Sequence, residues 1–243
     1  MIARTALVAA VMGSLLVAAC MPGPARFPGN RLRDEDLLRA DPSKVIAAEL
    51  AFARLAQEKG QWTAFAETST GDAVLFVPQP VDAHDWLRQQ TNPAQAVRWQ
   101  PHQVWSSCDG SLAVTRGAWQ RPNGTVGYFT TVWERQRDGD YKWVMDQGDE
   151  LEQPLTPPEF VEAKASQCER PEGAPTRRER DRHAPAKLRP TVCQGANCNG
   201  GGTSADGTLG YAYAVTAQGR QVTVQMRDNG AMGEVMRSEV SAE

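Results

Sequence analysis

The spacing of hydrophobic positions changes once along the chain. Up to about residue 90, apolar residues recur three or four positions apart, as they do on one face of a helix. The clearest predicted helix begins at Asp41 and ends at Gly60. Shorter helices are predicted at Trp62–Glu67 and His84–Gln90, and a continuous apolar strand, Ala73–Val77, lies between them.

From about residue 97 the period becomes two, which is the alternation of a strand with one buried face. It predicts four strands of similar length, separated by tight-turn sequences: Val97–Ser106, Leu112–Gln120, Gly127–Arg135 and Tyr141–Gln147. Helices followed by an antiparallel meander indicate an α+β fold in which the helices pack on one face of the sheet.

The last third of the chain has a different character. Residues 151–202 are rich in proline and charge and are predicted to be a linker, with a short helix possible at Pro158–Cys168. Residues 203–243 alternate again, at Gly210–Thr216, Gln221–Arg227 and Glu234–Val240. They indicate a small β-hairpin or three-stranded meander, which would be marginal alone and is expected to pack on the main domain.

The N-terminus has the parts of a secretory signal: Arg4, an apolar run to Ala19, and small residues before Cys20. Residues 17–20 resemble the lipobox of bacterial lipoproteins. This resemblance implies cleavage after residue 19 and acylation of Cys20, and two or three acyl chains anchor a protein stably to a membrane. The alternative is a soluble periplasmic protein with a chance cysteine at the cut. Met21 at the next position points by resemblance to the outer membrane, on its periplasmic side.

Composition and net charge describe the N-terminal segment and exclude one class of partner. Residues 20–42 are rich in Pro, Gly and Arg and are predicted to be a flexible tether. The whole chain carries a formal charge of −3, and loss of Arg4 with the signal leaves it near −4. There is therefore no basic excess to suggest nucleic-acid binding.

Four cysteines remain after Cys20 in a compartment that favours disulfides. We favour Cys193–Cys198 and Cys108–Cys168, while a bridge from Cys168 to Cys193 that leaves Cys108 free is nearly as compatible with the spacing. Zinc is the rival interpretation, but a Cys-x₄-Cys pair with no second pair or histidine nearby is weak support for it, so no metal is expected. No cofactor is indicated.

The order of elements carries a resemblance to a known family. The stretch Lys44–Gly148 resembles the NTF2-like superfamily, in particular its SnoaL-like and DUF4440-like members, through the long helix, residues 60–62, residues 71–78 and the closing residues 141–148. Residues 43–150 are identified as this domain. The resemblance implies a cone, in which a bent antiparallel sheet wraps around the long first helix and encloses a pocket, and it implies possible homodimers through the sheet.

Enzymes of this superfamily such as ketosteroid isomerase use a carboxylate base and a tyrosine. Laid on this chain without a gap from Gly60 to Pro78, the base position falls on Val77. The tyrosine position falls at about Ala53, beside Phe52. Apolar side chains cannot move a proton, so this particular chemistry is expected to be absent.

Asp146 on the last strand is the better acidic candidate. It is predicted to share a face with Val144 and so to be able to point into the cone, where a buried carboxyl would need partners or a raised pKa. His102 is a weaker candidate. The candidate pocket residues are Trp62, Trp119, Trp133 and Trp143.

Three hypotheses follow. The first is a lipid-anchored, non-catalytic domain that binds a small apolar ligand or a protein partner in the cell envelope. The second is a SnoaL-like isomerase, cyclase or hydratase that uses Asp146. In the third, the C-terminal strands fill or cover the mouth of the cone and the protein is a structural component of the envelope.

Overall fold

The computed structural model describes residues 40–168 and 198–242. Helix α1 spans Pro42–Lys59, and the carboxylate of Asp41 caps it by accepting a hydrogen bond from the Ser43 amide. It ends at Gly60, whose φ of 101° lies in the region that favours glycine. Helix α2, Gln61–Thr68, follows at once, and the short α3 spans Ala83–Leu87.

Seven strands form the larger sheet. They are β1 Ser69–Phe76, β2 Pro80–Asp82, β3 Arg98–Ser106, β4 Leu112–Gln120, β5 Val126–Arg135, β6 Tyr141–Leu151 and β7 Glu162–Ala165. Their order across the sheet is β2-β1-β6-β5-β4-β3-β7. The β1–β6 and β3–β7 pairs are parallel and the other pairs are antiparallel. The predicted α+β class, with its helices first and its meander after them, is confirmed.

Strand β7 corrects one prediction. The short helix expected at Pro158–Cys168 is wrong, because Glu162–Ala165 adds to the free edge of β3 as a strand. The Gln103 amide also donates a hydrogen bond of 3.1 Å to the Glu162 carboxylate. Edge pairing satisfies backbone groups that a one-turn helix would leave open. Part of the predicted linker 151–202 is therefore sheet, and residues 169–197 lie outside the described ranges.

The C-terminal segment forms a second, four-stranded antiparallel sheet. Its strands are β8 Cys198–Thr203, β9 Leu209–Thr216, β10 Gly219–Asp228 and β11 Ala231–Ser241, in the order β11-β10-β9-β8. The predicted hairpin or three-stranded meander lacks β8, which falls mostly within the predicted linker 151–202 and contains three successive glycines. One of them fits the strand for a steric reason: a Cβ on Gly200 would lie 2.2 Å from the Tyr213 ring.

The two faces of the large sheet are covered differently. We call the face under the helices the inner face; it contributes Leu75, Trp133 and Trp143 to a core shared with α1, α2 and α3. We call the opposite face the outer face, and it packs against the second sheet. That outer core comprises Val74, Phe76, Trp105, Leu112, Val114, Val132, Val144 and Met145 together with Leu209, Tyr211, Tyr213, Val215, Val222, Val224, Met226 and Met236. The expectation that the C-terminal strands pack on the main domain is confirmed.

A disulfide joins Cys108 to Cys168. This confirms one of the two favoured pairs and contradicts the alternative in which Cys108 is free. Cys193 lies outside the described residues, so its predicted bridge to Cys198 stays a prediction. The signal segment, Cys20 and residues 20–39 of the tether also lie outside them. Within the described residues no helix is both long and apolar enough to cross a membrane.

Candidate functional site

A cavity of about 570 Å³ lies between the helices and the inner face of the large sheet. Its walls come from α1, α2, β1, β3, β4, β5 and β6 and from the segment before β3. Seven aromatic residues line it: Phe52, Trp62, Phe65, Phe76, Trp99, Trp119 and Phe129. The volume falls within the range of small-molecule pockets, which are mostly apolar with a few polar groups.

Edge-to-face contacts hold several of these rings in place. The Phe52 ring lies 4.7 Å from that of Phe65 and 4.8 Å from that of Trp99, centroid to centroid. The Trp62 ring lies 5.5 Å from that of Phe65. Such pairs stabilise a structure beyond the area they bury. The aromatic wall is therefore formed before any ligand enters.

Asp146 projects from β6 into this cavity. Its Oδ2 accepts a hydrogen bond of 2.6 Å from the Thr131 hydroxyl on the neighbouring strand β5. The pKa of Asp146 is raised to about 8, mainly because the carboxyl is buried; the Thr131 hydrogen bond opposes this rise, and the negative charge of Glu49 adds to it. At neutral pH most molecules therefore hold Asp146 protonated, as a carboxylic acid that can donate a hydrogen bond.

A β-bulge explains how Asp146 reaches the cavity. The expectation that it could point into the cone is confirmed, but the proposed reason was wrong, since Val144 packs in the outer core. The pairing of β5 with β6 shifts between Val132 and Trp133, so that one residue of β6 is unpaired there. An extra residue reverses the alternation of the strand. Trp143 and Asp146 thus face inward, while Val144 and Met145 face the second sheet.

A second carboxyl, that of Glu49, lies fully buried on α1 and was missed by the sequence analysis. It accepts hydrogen bonds from the Trp99 indole at 2.7 Å, the Thr115 hydroxyl at 2.6 Å and the Trp133 indole at 3.1 Å. Burial raises the pKa of Glu49, and these three donors lower it. Its position could have been found, because it falls on the same helical stripe as Val45 and Phe52.

His102 lies at the bulge of β3 and is not among the cavity-lining residues. It is buried, and its Nε2 has no hydrogen-bond partner within the described residues. Burial lowers the pKa of His102, which favours the neutral imidazole. The structure does not bring it together with Asp146 in the cavity, so the pair does not form a joint site.

The four predicted pocket tryptophans divide into two groups. Trp62 and Trp119 line the cavity. Trp133 and Trp143 do not, because both side chains are fully buried in the core behind its wall. Their indole N–H groups are used there: Trp133 donates to Glu49 and Thr115, and Trp143 donates to the backbone oxygen of Phe65 and the hydroxyl of Thr68.

The two positions that the family's enzymes use hold apolar side chains near the cavity. Val77 lines the cavity, as does Phe52 beside the position expected for the tyrosine. Neither can exchange a proton. The only acidic side chains among the lining residues are Asp146, Asp149 and Glu150, all on β6.

Exposed residues form the rim of the cavity. Arg121 at the end of β4 makes an ion pair with Glu150 across the sheet, and its guanidinium lies 4.8 Å from the centre of the Trp119 ring. Pro93, Gln95 and Pro122 complete the exposed part of the lining. The second sheet contributes no lining residue, so the hypothesis that the C-terminal strands cover the mouth is wrong.

No cluster of three or more potential metal ligands occurs in the stretches 40–168 and 198–242. No protein-family model and no curated protein matches the sequence. Solved structures do show similarity. One, from Parabacteroides distasonis, is a candidate ketosteroid isomerase; it is 16% identical, with a TM-score of 0.37, over 48% of this chain and 97% of the other.

Two further solved structures are similar over about half of the chain. An NTF2-like protein of unknown function from Methylobacillus flagellatus is 13% identical, with a TM-score of 0.36, over 47% of this chain and 97% of its own. A candidate calcium/calmodulin-dependent kinase II association domain from Exiguobacterium sibiricum is 13% identical, with a TM-score of 0.32, over 46% and 96%.

Proposed function

We propose that this protein is a lipid-anchored binding protein of the bacterial cell envelope, whose cavity takes a small, mainly apolar ligand with one polar group. The observation that carries the proposal is the cavity itself, about 570 Å³, with seven aromatic lining residues and the inward carboxyl of Asp146. A cone packed solid by Trp and Phe would have excluded it. The anchor at Cys20 and the location at the periplasmic side of the outer membrane belong to the same proposal and rest on the lipobox-like residues 17–20.

Two features of the cavity support binding: its aromatic rings are held in place, and its Asp146 carboxyl has few hydrogen-bond partners. Three aromatic rings, those of Phe52, Phe65 and Trp99, are held by contacts with one another. The Asp146 carboxyl has a hydrogen bond on Oδ2 from Thr131 and no other from the described residues. Burial of a polar group without partners is costly, so a ligand group that completes its hydrogen bonding is favoured.

The outer face of the large sheet is the other surface to consider for binding a partner. This face would serve for pairing with a second copy, but the chain's own β9 and β10 cover its core residues. We therefore regard the cavity, rather than the sheet face, as the binding surface. The homodimer through the sheet stays a prediction, and the oligomeric state in solution tests it.

A direct binding experiment tests the proposal. The mature protein without its lipid is titrated with 2-(1-naphthyl)ethanol, a neutral apolar probe with one hydroxyl, by isothermal calorimetry at pH 7. We expect saturable binding at one site and its loss in Val97→Trp, which fills the cavity. Val161→Trp, at a half-buried valine outside the lining, serves as the matched control. Absence of binding up to millimolar probe, or equal binding by Val97→Trp, contradicts the proposal.

One observation favours a second candidate, an isomerase, cyclase or hydratase. The pKa of Asp146 is raised to about 8, and a general base or acid works best when its pKa lies near the working pH. In such a reaction the Asp146 carboxylate would take a proton from a carbon beside a carbonyl and return it to another position, while Thr131 steadies the carboxyl. Isomerisation of a β,γ-unsaturated ketone, followed by ultraviolet absorbance, tests this. Activity that survives Asp146→Asn rules out Asp146 as the catalytic group.

A further inference from the structure

The chemistry around the cavity points to the charge of its ligand. Lining residues include three carboxyl groups, those of Asp146, Asp149 and Glu150, and one cation, Arg121. Arg121 is already paired with Glu150 and stacked on Trp119. The cavity therefore has an excess of acidic groups over basic ones and no unpaired cation among its lining residues.

The charged groups that face Asp146 can be named element by element. On α1 it is Glu49, which lies behind the wall and adds negative charge. The lining residues of α2, β1, β3 and β5 have no titratable side chain. From the second sheet, Arg220 donates to the backbone oxygens of Pro78 and Gly148 and lies over the Phe76 ring. Phe76 and Gly148 line the cavity and Arg220 does not, so its guanidinium lies behind the wall.

Aromatic rings beside a carboxyl form the kind of environment that binds cations, because the face of each ring is negative. Three of the lining aromatics are tryptophans, which attract cations most strongly. An anionic ligand would instead meet carboxyl groups and no free donor cation. Resting on the proposed binding function, we propose that the cavity takes a hydrophobic amine, whose ammonium group pairs with Asp146 and whose apolar part lies against Phe52, Phe65 and Trp99.

This proposal fixes the sign of a pH effect. An ammonium ion binds the ionised form of Asp146, whereas a neutral ligand with a carbonyl or ether oxygen binds the protonated form. The pKa of Asp146 is about 8, and alkylamines keep their proton to about pH 10. The affinity for an amine should thus rise about tenfold between pH 7 and pH 9, because the ionised fraction of Asp146 rises by that factor. The affinity for a neutral acceptor should fall over the same interval.

The test compares two probes of the same shape, 2-(1-naphthyl)ethylamine and 2-(1-naphthyl)ethanol, by calorimetry at pH 7 and pH 9 and constant ionic strength. At pH 9 we expect the amine to bind at least ten times more tightly than the alcohol. Asp146→Asn should remove this preference and the pH dependence while it leaves the alcohol's affinity within about twofold. Asp138→Asn makes the same chemical change at an exposed turn and should alter neither.

Each outcome decides something. If the alcohol binds and the amine binds no better at pH 9, or if the amine's affinity does not rise from pH 7 to pH 9, the amine proposal is overturned and the binding function stands. If neither probe binds, both fail. The pH series needs only the wild-type protein, so it decides the matter even if Asp146→Asn does not fold.

Discussion

The two faces of the seven-stranded sheet are both covered by other parts of the chain, but in different ways. The outer face meets the second sheet in a core of aliphatic and aromatic side chains. The inner face meets three helices, and there the packing leaves a cavity and encloses two carboxyl groups, those of Glu49 and Asp146. Dense, apolar packing is the usual state of a protein interior. The cavity and its two carboxyls depart from that state, which is why we place function on the inner side and stability on the outer side.

Truncation of the same residue type on the two faces should give the largest contrast. Leu209 is fully buried in the outer core, while Leu75 on the inner face borders the cavity. Leu209→Ala should lower the free energy of unfolding by about 3–5 kcal/mol, because it opens a dry void. Leu75→Ala should cost about 2 kcal/mol, since it enlarges a space that already exists. Urea denaturation measures both values, and an equal or reversed cost would show that the inner face is packed as tightly as the outer one.

Glu49 tests whether the buried acid is a structural support of the cavity wall. Glu49→Ala leaves the Trp99 indole without its acceptor and removes one of the two acceptors of the Thr115 hydroxyl and of the Trp133 indole. The expected loss is about 3 kcal/mol in the free energy of unfolding. Glu49→Gln keeps an acceptor oxygen and should retain more than half of the free energy of unfolding that Glu49→Ala loses. It should also lower the pKa of Asp146, because the negative charge of Glu49 raises it. If Asp146 titrates in Glu49→Gln as it does in the wild type, the charge of Glu49 does not act on Asp146 and the prediction is contradicted.

The disulfide should affect the outer side more than the cavity. Cys168 follows β7, and Cys108 lies in the turn between β3 and β4. The backbone amide of Cys108 donates a hydrogen bond to the hydroxyl of Thr208, which precedes β9 of the second sheet. Replacement of both cysteines by serine should reduce the free energy of unfolding by about 2–4 kcal/mol, through loss of a crosslink between distant residues. Binding of 2-(1-naphthyl)ethanol to the folded double variant should stay within about twofold of wild type. A large loss of binding would mean that the outer side also shapes the cavity.

The stability of the protein should depend on pH through Asp146. Its folded pKa of about 8 exceeds the ordinary value of 3.8, so between these values the folded state holds a proton that the unfolded state has lost. Stability therefore falls as pH rises through this window, by at most about 1.4 kcal/mol per unit, and levels off above the folded pKa. Asp146→Asn should remove that part of the slope, and Asp138→Asn should not. Equal slopes in all three proteins, measured by urea denaturation from pH 5 to pH 9, would contradict the buried position.

Sequence pattern predicted the fold better than the site, for physical reasons that particular residues show. Leu112–Gln120 was predicted with its exact bounds because alternation and tight turns are local properties. Strand β7, with the sequence Glu-Ala-Lys-Ala, has no strand pattern; it forms because β3 offers a free edge. Tertiary context of this kind overrides local propensity.

The Asp146 side chain points inward because of the bulge beside Trp143. The local sequence pattern does not predict where a strand has a single unpaired residue. Glu49 was missed for another reason. A charged residue on a helix is usually exposed, and only its place on the apolar stripe indicated otherwise. Recognition of Asp146 thus required the assembled sheet, whereas the stripe on α1 was enough to indicate Glu49.

The ¹³C titration of the Asp146 side-chain carboxyl by NMR, assigned by comparison with Asp146→Asn, tests the account most directly. A carboxyl enclosed in the cavity should titrate with a midpoint near pH 8, and 2-(1-naphthyl)ethylamine should lower that midpoint by stabilising the ionised form. A midpoint near pH 4, as for an exposed aspartate, would contradict the enclosed carboxyl and the function that we build on it.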